Sequence, residues 1–129
     1  MQYDQRVLQM VMLDTDICLS LMTGKTTVSD LVFMAGEEIV VSYITAGELF
    51  IAANSSSDPI NNRIVTEKFL LTVRILHSDM AMLKYIADVT HTLKKKGLVI
   101  NQADIVMYSM AKVFGARLIT SNSKRYCFT

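Results

Sequence analysis

The chain has 129 residues, of which 51% are hydrophobic, and its formal net charge is +1. This length and composition suit a single domain over residues 1–129 with a substantial apolar core. A net charge this close to zero excludes recognition of nucleic acid or membrane through a strong overall field, so any such binding must rest on local patches.

The sequence of the N-terminal segment does not have the features of a targeting signal. Its apolar stretch is too short for a membrane span and lacks the layout of a signal peptide. The two cysteines, Cys18 and Cys127, are far apart and do not have the spacing of a metal site. We therefore expect a cytoplasmic protein that does not associate with membranes, in which Cys18 is a small buried hydrophobe.

The first half of the chain predicts two strands, each followed by a helix. Residues 7–13 and 39–41 form continuous apolar runs, which are typical of strands buried on both faces. Residues 17–22 and 45–53 predict the helices that follow these strands. The polar segment 54–62, which holds the only proline, predicts an exposed loop.

The second half of the chain predicts three helices and two strands. We expect helices at 62–74, 78–96 and 103–114, and strands at 73–76 and 117–120. The long middle helix begins at Ser78 or Asp79 and is expected to bury one stripe, formed by Leu83, Ile86, Ala87, Thr90 and Leu93. The helix after it is expected to bury Met107, Met110, Ala111 and Phe114. Gly97 and Gly115 are expected to end these two helices.

Apolar strands that alternate with helices indicate a fold class. Such strands belong to mostly parallel sheets that are covered by helices on both faces. The sequence therefore predicts an α/β fold, a three-layer α/β/α sandwich with a central, mostly parallel sheet.

Three acidic residues stand alone in the most apolar stretches of the chain. Asp14 closes the first predicted strand, Glu48 is the only charged residue in 42–54, and Asp104 is the only one in 97–111. Carboxylates are costly to bury without a partner. We therefore expect one shared compensating partner for the three.

Helix capping is the better explanation of each acid when it is taken alone. Thr45 and Glu48 have the spacing of a capping box, in which two side chains satisfy free backbone donors at a helix start. Asn101 and Asp104 repeat that arrangement, and an acid of segment 14–16 would cap the helix after the first strand.

The joint placement of the acids favours a metal ion. Strand ends and helix starts meet at the carboxyl edge of a parallel sheet, where such sheets build their sites. Three carboxylates within about 4 to 5 Å would repel by roughly 3 to 4 kcal/mol per pair at an effective dielectric constant of about 20, and a cation would relieve this repulsion. Oxygen ligands without histidine or cysteine favour Mg²⁺ or Mn²⁺.

Four segments follow one another along the chain: LDTD at 13–16, ITAGEL at 44–49, INQADIVMYSMA at 100–111 and LITSN at 118–122. Their order and spacing resemble the PIN domain, particularly the small bacterial VapC-type toxins of type II toxin–antitoxin pairs. The resemblance covers almost the whole chain. It implies a metal-dependent endoribonuclease that hydrolyses RNA phosphodiester bonds, is bound by a cognate antitoxin and forms homodimers.

The resemblance also implies roles for individual residues. Asp14, Glu48 and Asp104 fall on the positions of acidic metal ligands, and Thr120 falls on a polar residue beside the site. We predict that Asp14 and Asp104 bind Mg²⁺ or Mn²⁺ directly and that Glu48 binds through water or orients the nucleophile. Thr15, which follows Asp14, is also expected to support the site.

Two departures from the family pattern concern the number of negative charges. The family usually carries Asn or Ser where this chain has Asp16, and it often places a fourth acid where this chain has Asn122 or Arg125. Asn122 could still hold a metal-bound water, and Asp16 could supply the missing charge as a further metal ligand. Without the usual fourth acid, the affinity for the cation should be lower. A catalytically weak or silent PIN-like protein that acts through a partner is therefore the main alternative.

Residues for substrate binding are less marked. Lys124 and Arg125 follow the last predicted strand, and we predict that they contact phosphate. His77 and His91 have no partner at ligand spacing, so neither is predicted to be catalytic. A Mg²⁺-binding receiver-like signalling domain is the remaining alternative, although it requires a phosphorylatable aspartate that closes the third strand.

Overall fold

The computed structural model describes residues 9–31 and 36–126. Residues 7 and 8 of the first predicted strand, and Cys127, lie outside the described residues. The elements in chain order are β1 (Met10–Leu13), α1 (Thr15–Met22), α2 (Val28–Leu31), β2 (Glu38–Ser42), α3 (Tyr43–Asn54), α4 (Pro59–Leu70), β3 (Arg74–Leu76), α5 (Met80–Lys95), α6 (Gln102–Phe114), β4 (Arg117–Ile119) and a 3-10 turn (Ser123–Tyr126).

The four described strands form one parallel sheet in the order β3-β2-β1-β4. Because all of them run in the same direction, they end at one edge of the sheet, which we call the carboxyl edge. The residues that end the strands there are Leu13, Ser42, Leu76 and Ile119. The helices α1, α3 and α5 begin soon after strands end, so their first turns also lie at this edge.

Successive strand residues point to opposite faces of the sheet and build two cores. Met12 and Val40 belong to a core with α5 and α6. Val11, Leu13 and Val41 belong to a second core with α1, α3 and α4. Both faces of the sheet are therefore covered, which explains the continuous apolar runs and confirms the predicted three-layer α/β/α fold.

Helix α3 begins earlier than predicted because Ser42, not Thr45, is its N-cap. The Ser42 hydroxyl oxygen accepts a hydrogen bond of 3.1 Å from the backbone N–H of Thr45. The helix therefore begins at Tyr43, and Glu48 lies in its second turn. The predicted capping box of Thr45 and Glu48 is wrong.

Helix α4 is also displaced relative to the prediction. Asp58 caps it, accepting a hydrogen bond of 3.3 Å from the Asn61 N–H, and Pro59 occupies the first helical position, where its missing N–H costs nothing. The end of the predicted loop 54–62 is therefore helical. The helix ends at Leu70, four residues before the predicted end, since the chain enters β3 at Arg74.

Helix α5 begins where expected but buries a different stripe. Asp79 caps it with a 2.8 Å hydrogen bond from the Met82 N–H. Leu83 is 53% exposed and Ala87 is also exposed, so their predicted burial is wrong. The buried residues of the helix are Met82, Ile86 and Leu93.

Helix α6 agrees closely with the prediction. Its N-cap is Asn101, whose side-chain oxygen accepts a 2.8 Å hydrogen bond from the Ala103 N–H. It buries Met107 and Met110, as predicted, and ends at Gly115, which has a left-handed backbone with φ of 65°. None of the described helices is long and apolar enough to cross a membrane.

Candidate functional site

Asp14 is fixed at the carboxyl edge, where it follows the central strand β1 and pairs with the end strand β4. Its backbone N–H donates to the carbonyl of Ile119 at 2.9 Å, which extends the pairing of β1 and β4 by one residue. One carboxylate oxygen accepts a 2.8 Å hydrogen bond from the Thr15 N–H, and the other accepts a 2.7 Å hydrogen bond from the Thr120 hydroxyl. The side chain is only 3% exposed. Asp14 therefore both caps α1 and presents a held carboxylate at the strand end.

The segment after β4 folds over this carboxylate. The Thr120 hydroxyl accepts a 3.1 Å hydrogen bond from the Asn122 N–H, so it is oriented from both sides. The phenolic hydroxyl of Tyr126 lies 3.4 Å from the same Asp14 oxygen that Thr120 contacts. Tyr126 is a site residue that the sequence does not predict, since nothing in its spacing relates it to Asp14.

A chain of side-chain contacts joins the helices that carry the other two acids. The Thr15 hydroxyl donates to the Thr45 hydroxyl at 3.4 Å, and the Thr45 hydroxyl in turn contacts the sulfur of Met107 at 3.5 Å. The Ser42 hydroxyl reaches the same sulfur at 2.9 Å. The first turns of α1 and α3 and the N-terminal half of α6 therefore meet beside Asp14.

Glu48 and Asp104 belong to α3 and α6, the two helices that the contact between Thr45 and Met107 joins. Glu48 follows Thr45 by about one helical turn and is exposed, whereas Asp104 precedes Met107 by about one turn and is half-buried. Asp104 also lies in the first turn of α6, where a negative charge is favourable. The fold thus brings the elements that carry the three acids to one edge.

The donor chemistry of these acids fits a hard divalent cation, because all three offer carboxylate oxygens. Within residues 9–31 and 36–126, however, no group of three His, Cys, Asp or Glu side chains lies close enough to hold a metal ion. The metal-binding roles of Asp14, Glu48 and Asp104 stay predictions.

The other predicted site residues lie at the rim of the edge. Asp16 is exposed and accepts a 3.3 Å hydrogen bond from the Ser121 hydroxyl. Asn122 and Lys124 are exposed. The side chain of Arg125 lies outside the described part of the structure.

Cys18 lies one turn after Asp14 on α1 and is fully buried. Burial raises the pKa of the Cys18 thiol to about 12, and the negative charge of Asp14 adds to the rise. The thiol is therefore neutral at physiological pH and is not a nucleophile. This confirms the prediction that Cys18 is a small buried hydrophobe.

The fold and the edge site define an α/β domain that carries acidic side chains where parallel strands end. The PIN domain model matches residues 11–127 of the chain. The chain belongs to the PIN domain family.

Relatives within the family are VapC toxins and their complexes. The chain is 25% identical over 116 residues to the "tRNA(fMet)-specific endonuclease VapC" of Shigella flexneri, which covers 89% of this chain and 88% of that protein. VapBC-1 from nontypeable Haemophilus influenzae is 26% identical, with a TM-score of 0.81, and covers 93% of this chain and 92% of the other. VapBC2 from Rickettsia felis, bound to a DNA fragment from the promoter, is 26% identical with a TM-score of 0.79 and covers 90% of both chains.

These similarities confirm the resemblance that the four sequence segments indicated. The receiver-like alternative has no support, because the residue that follows β3 is His77 and not an aspartate.

Proposed function

We propose that the protein is a metal-dependent endoribonuclease and the toxin of a toxin–antitoxin pair. The observation that carries the proposal is the buried, doubly held carboxylate of Asp14 at the carboxyl edge of a PIN domain. The VapC relative from Shigella flexneri is named as a tRNA-specific endonuclease, which makes RNA the expected substrate class.

Each residue has its own role in the proposed reaction. Asp14 and Asp104 would hold Mg²⁺ or Mn²⁺ directly, and Glu48 would bind it through water or orient the attacking water. When bound, a divalent cation activates water and offsets the negative charge that grows on the phosphoryl oxygens. Thr120 holds the Asp14 carboxylate in one orientation through its 2.7 Å hydrogen bond. Lys124 and Arg125 contact the RNA backbone beyond the strand end.

The proposal includes two protein partners. VapBC complexes are among the most similar solved structures, which supports a cognate antitoxin for this chain. Exposed apolar side chains on α4 and α5 offer surface for the antitoxin or for a second copy in a homodimer; they are Ile60, Ile64, Met80 and Leu83. Because the substrate is cellular RNA, the pair is expected to act in the cytoplasm.

The direct test is cleavage of structured RNA by the purified chain. With Mg²⁺ or Mn²⁺ we expect discrete fragments from a mixture of structured RNAs, and we expect none when EDTA is in excess. Restoring the cation should restore the same fragments. A protein that binds RNA or a partner but never yields cation-dependent fragments would instead be the silent binding protein.

Asn122 lies at a position where the family often has an acid, so we expect a carboxylate there to strengthen cation binding. Its side chain is exposed beside Thr120, two residues beyond the Asp14 contact. Asn122→Asp adds one carboxylate near the proposed site, so the Mn²⁺ concentration for half-maximal cleavage should fall several-fold. Cleavage rates measured across a Mn²⁺ titration check this.

The matched control is Asn54→Asp, at the far end of α3. It makes the same change of charge about 17 Å along the helix from its start, at 1.5 Å per residue, and should leave the titration unchanged. An equal shift in both variants would mean that overall charge, and not a fourth acid at the site, sets the response.

A further inference from the structure

Two aromatic rings stack at the carboxyl edge, outside the acidic site. Tyr43 follows β2 and His77 follows β3. Ser42 pairs with Leu76 in the parallel register, so Tyr43 and His77 are the next residues in line on neighbouring strands. Their ring centroids are 6.4 Å apart and their planes differ by 17°, which is the geometry of an offset stack.

The two rings differ in burial. Tyr43 is half-buried and packs against the core formed with α5 and α6. His77 is exposed. Tyr43 is therefore held by the core, while His77 faces solvent. The two rings together form an aromatic surface that is fixed on its inner side.

This surface lies at a defined distance from Asp14. The sheet order places β2 between β3 and β1, so two strand spacings separate His77 from the strand that Asp14 follows. At about 4.8 Å per spacing the separation along the edge is about 10 Å. A stacked nucleic-acid strand advances about 3.4 Å per nucleotide, so this distance corresponds to about three nucleotides.

We propose that Tyr43 and His77 form a stacking platform for an unpaired base of the RNA, a few nucleotides from the phosphate that is cut. Proteins that read single-stranded RNA stack splayed bases on Tyr, Phe, Trp or His rings. The platform selects loops over paired stems, because a base inside a helix has no free face to offer. This inference rests on the proposed ribonuclease function.

The test measures binding separately from cleavage. In an Asp14→Asn background, which removes cleavage, affinity for a labelled stem-loop RNA is compared with and without His77→Ala. Loss of one base–aromatic stack costs about 1 to 3 kcal/mol, so the dissociation constant should rise roughly 5- to 150-fold. His91→Ala, which removes an exposed histidine from α5, is the matched control and should leave the affinity unchanged.

Two further arms identify stacking as the cause. His77→Phe keeps a flat ring but carries no charge. It should bind RNA like the parent protein if His77 stacks on a base, and it should bind weakly if His77 acts as a cation. A second RNA lacks the loop base that stacks on His77, because that position is abasic. This RNA should bind the parent protein and His77→Ala with equal affinity. In the cleavage-competent chain, His77→Ala should raise KM and leave kcat nearly unchanged.

Equal RNA affinity of the parent and His77→Ala would overturn the platform, and so would failure of His77→Phe to restore binding. These results are distinct from failure of the proposed function, which is absence of cation-dependent cleavage by the unmodified chain. A chain that cleaves RNA but ignores the His77 change keeps the nuclease proposal and loses the platform. A chain that shows the binding pattern without cleaving loses the nuclease proposal, and the two rings then keep only their role in stacking an RNA base.

Discussion

Asp14→Asn is expected to reduce metal-dependent RNA cleavage by roughly a thousandfold or more. The change removes the negative charge of the most buried acid at the edge, and with it several kcal/mol of support for a bound cation and the charge that it offsets. At 1.36 kcal/mol per tenfold change in rate, that loss corresponds to about three orders of magnitude. Initial cleavage rates across a Mn²⁺ titration measure it.

The fold should survive this substitution. Asparagine has nearly the same shape and is as good a helix cap as aspartate, so the hydrogen bond from the Thr15 N–H can remain. Circular dichroism and the urea midpoint should match the unmodified chain. Asp88→Asn, which removes one exposed carboxylate from α5, is the control for charge and should cleave normally. Full activity of Asp14→Asn at the same Mn²⁺ dependence would remove Asp14 from the catalytic site.

The same residue shows what the sequence could predict. The strand before Asp14 is apolar on both faces because it lies between two helical layers, and this pattern is visible without coordinates. Since every described strand is parallel, a residue that ends one of them must lie at the carboxyl edge. Fold class and the position of Asp14 therefore follow from local pattern.

Local pattern failed where two choices were chemically equivalent. Ser42 and Thr45 can both cap a helix, and the choice of Ser42 follows from where β2 ends. Met82 and Leu83 are both apolar neighbours on α5, but the direction of the sheet decides that Met82 is buried and Leu83 is exposed. In both places tertiary structure determined the outcome.

Contacts within the site depend on tertiary structure even more strongly. The hydroxyl of Tyr126 lies beside Asp14 across 112 positions of sequence, and that of Ser42 meets Met107 across 65. No short-range spacing encodes such pairs. The resemblance to PIN domains indicated that Thr120 lies beside the site, and the 2.7 Å hydrogen bond to Asp14 shows the form of that contact.

Leu49→Ala is expected to destabilise the protein by about 2 to 5 kcal/mol. Leu49 lies next to Glu48 on α3, is only 1% exposed, and packs in the core with Leu13 and Val41. Truncation removes buried apolar surface and leaves a cavity, and the cost depends on how far the neighbours relax. With a urea m-value of about 1 to 3 kcal/mol/M, the midpoint of unfolding should fall by roughly 1 M or more.

Ile51→Ala provides the matched comparison on the same helix. Ile51 is 66% exposed, and alanine is the better helix former, so the free energy of unfolding should change by no more than about 0.5 kcal/mol. Similar urea midpoints for the two variants would contradict the packing of α3 against the sheet. Below its unfolding transition, Leu49→Ala should still cleave RNA within a few-fold of the unmodified rate, because it leaves the carboxylates of Asp14, Glu48 and Asp104 in place. A variant that loses stability but keeps its cleavage activity separates the role of α3 as a support for Glu48 from the proposed chemistry of the acids themselves.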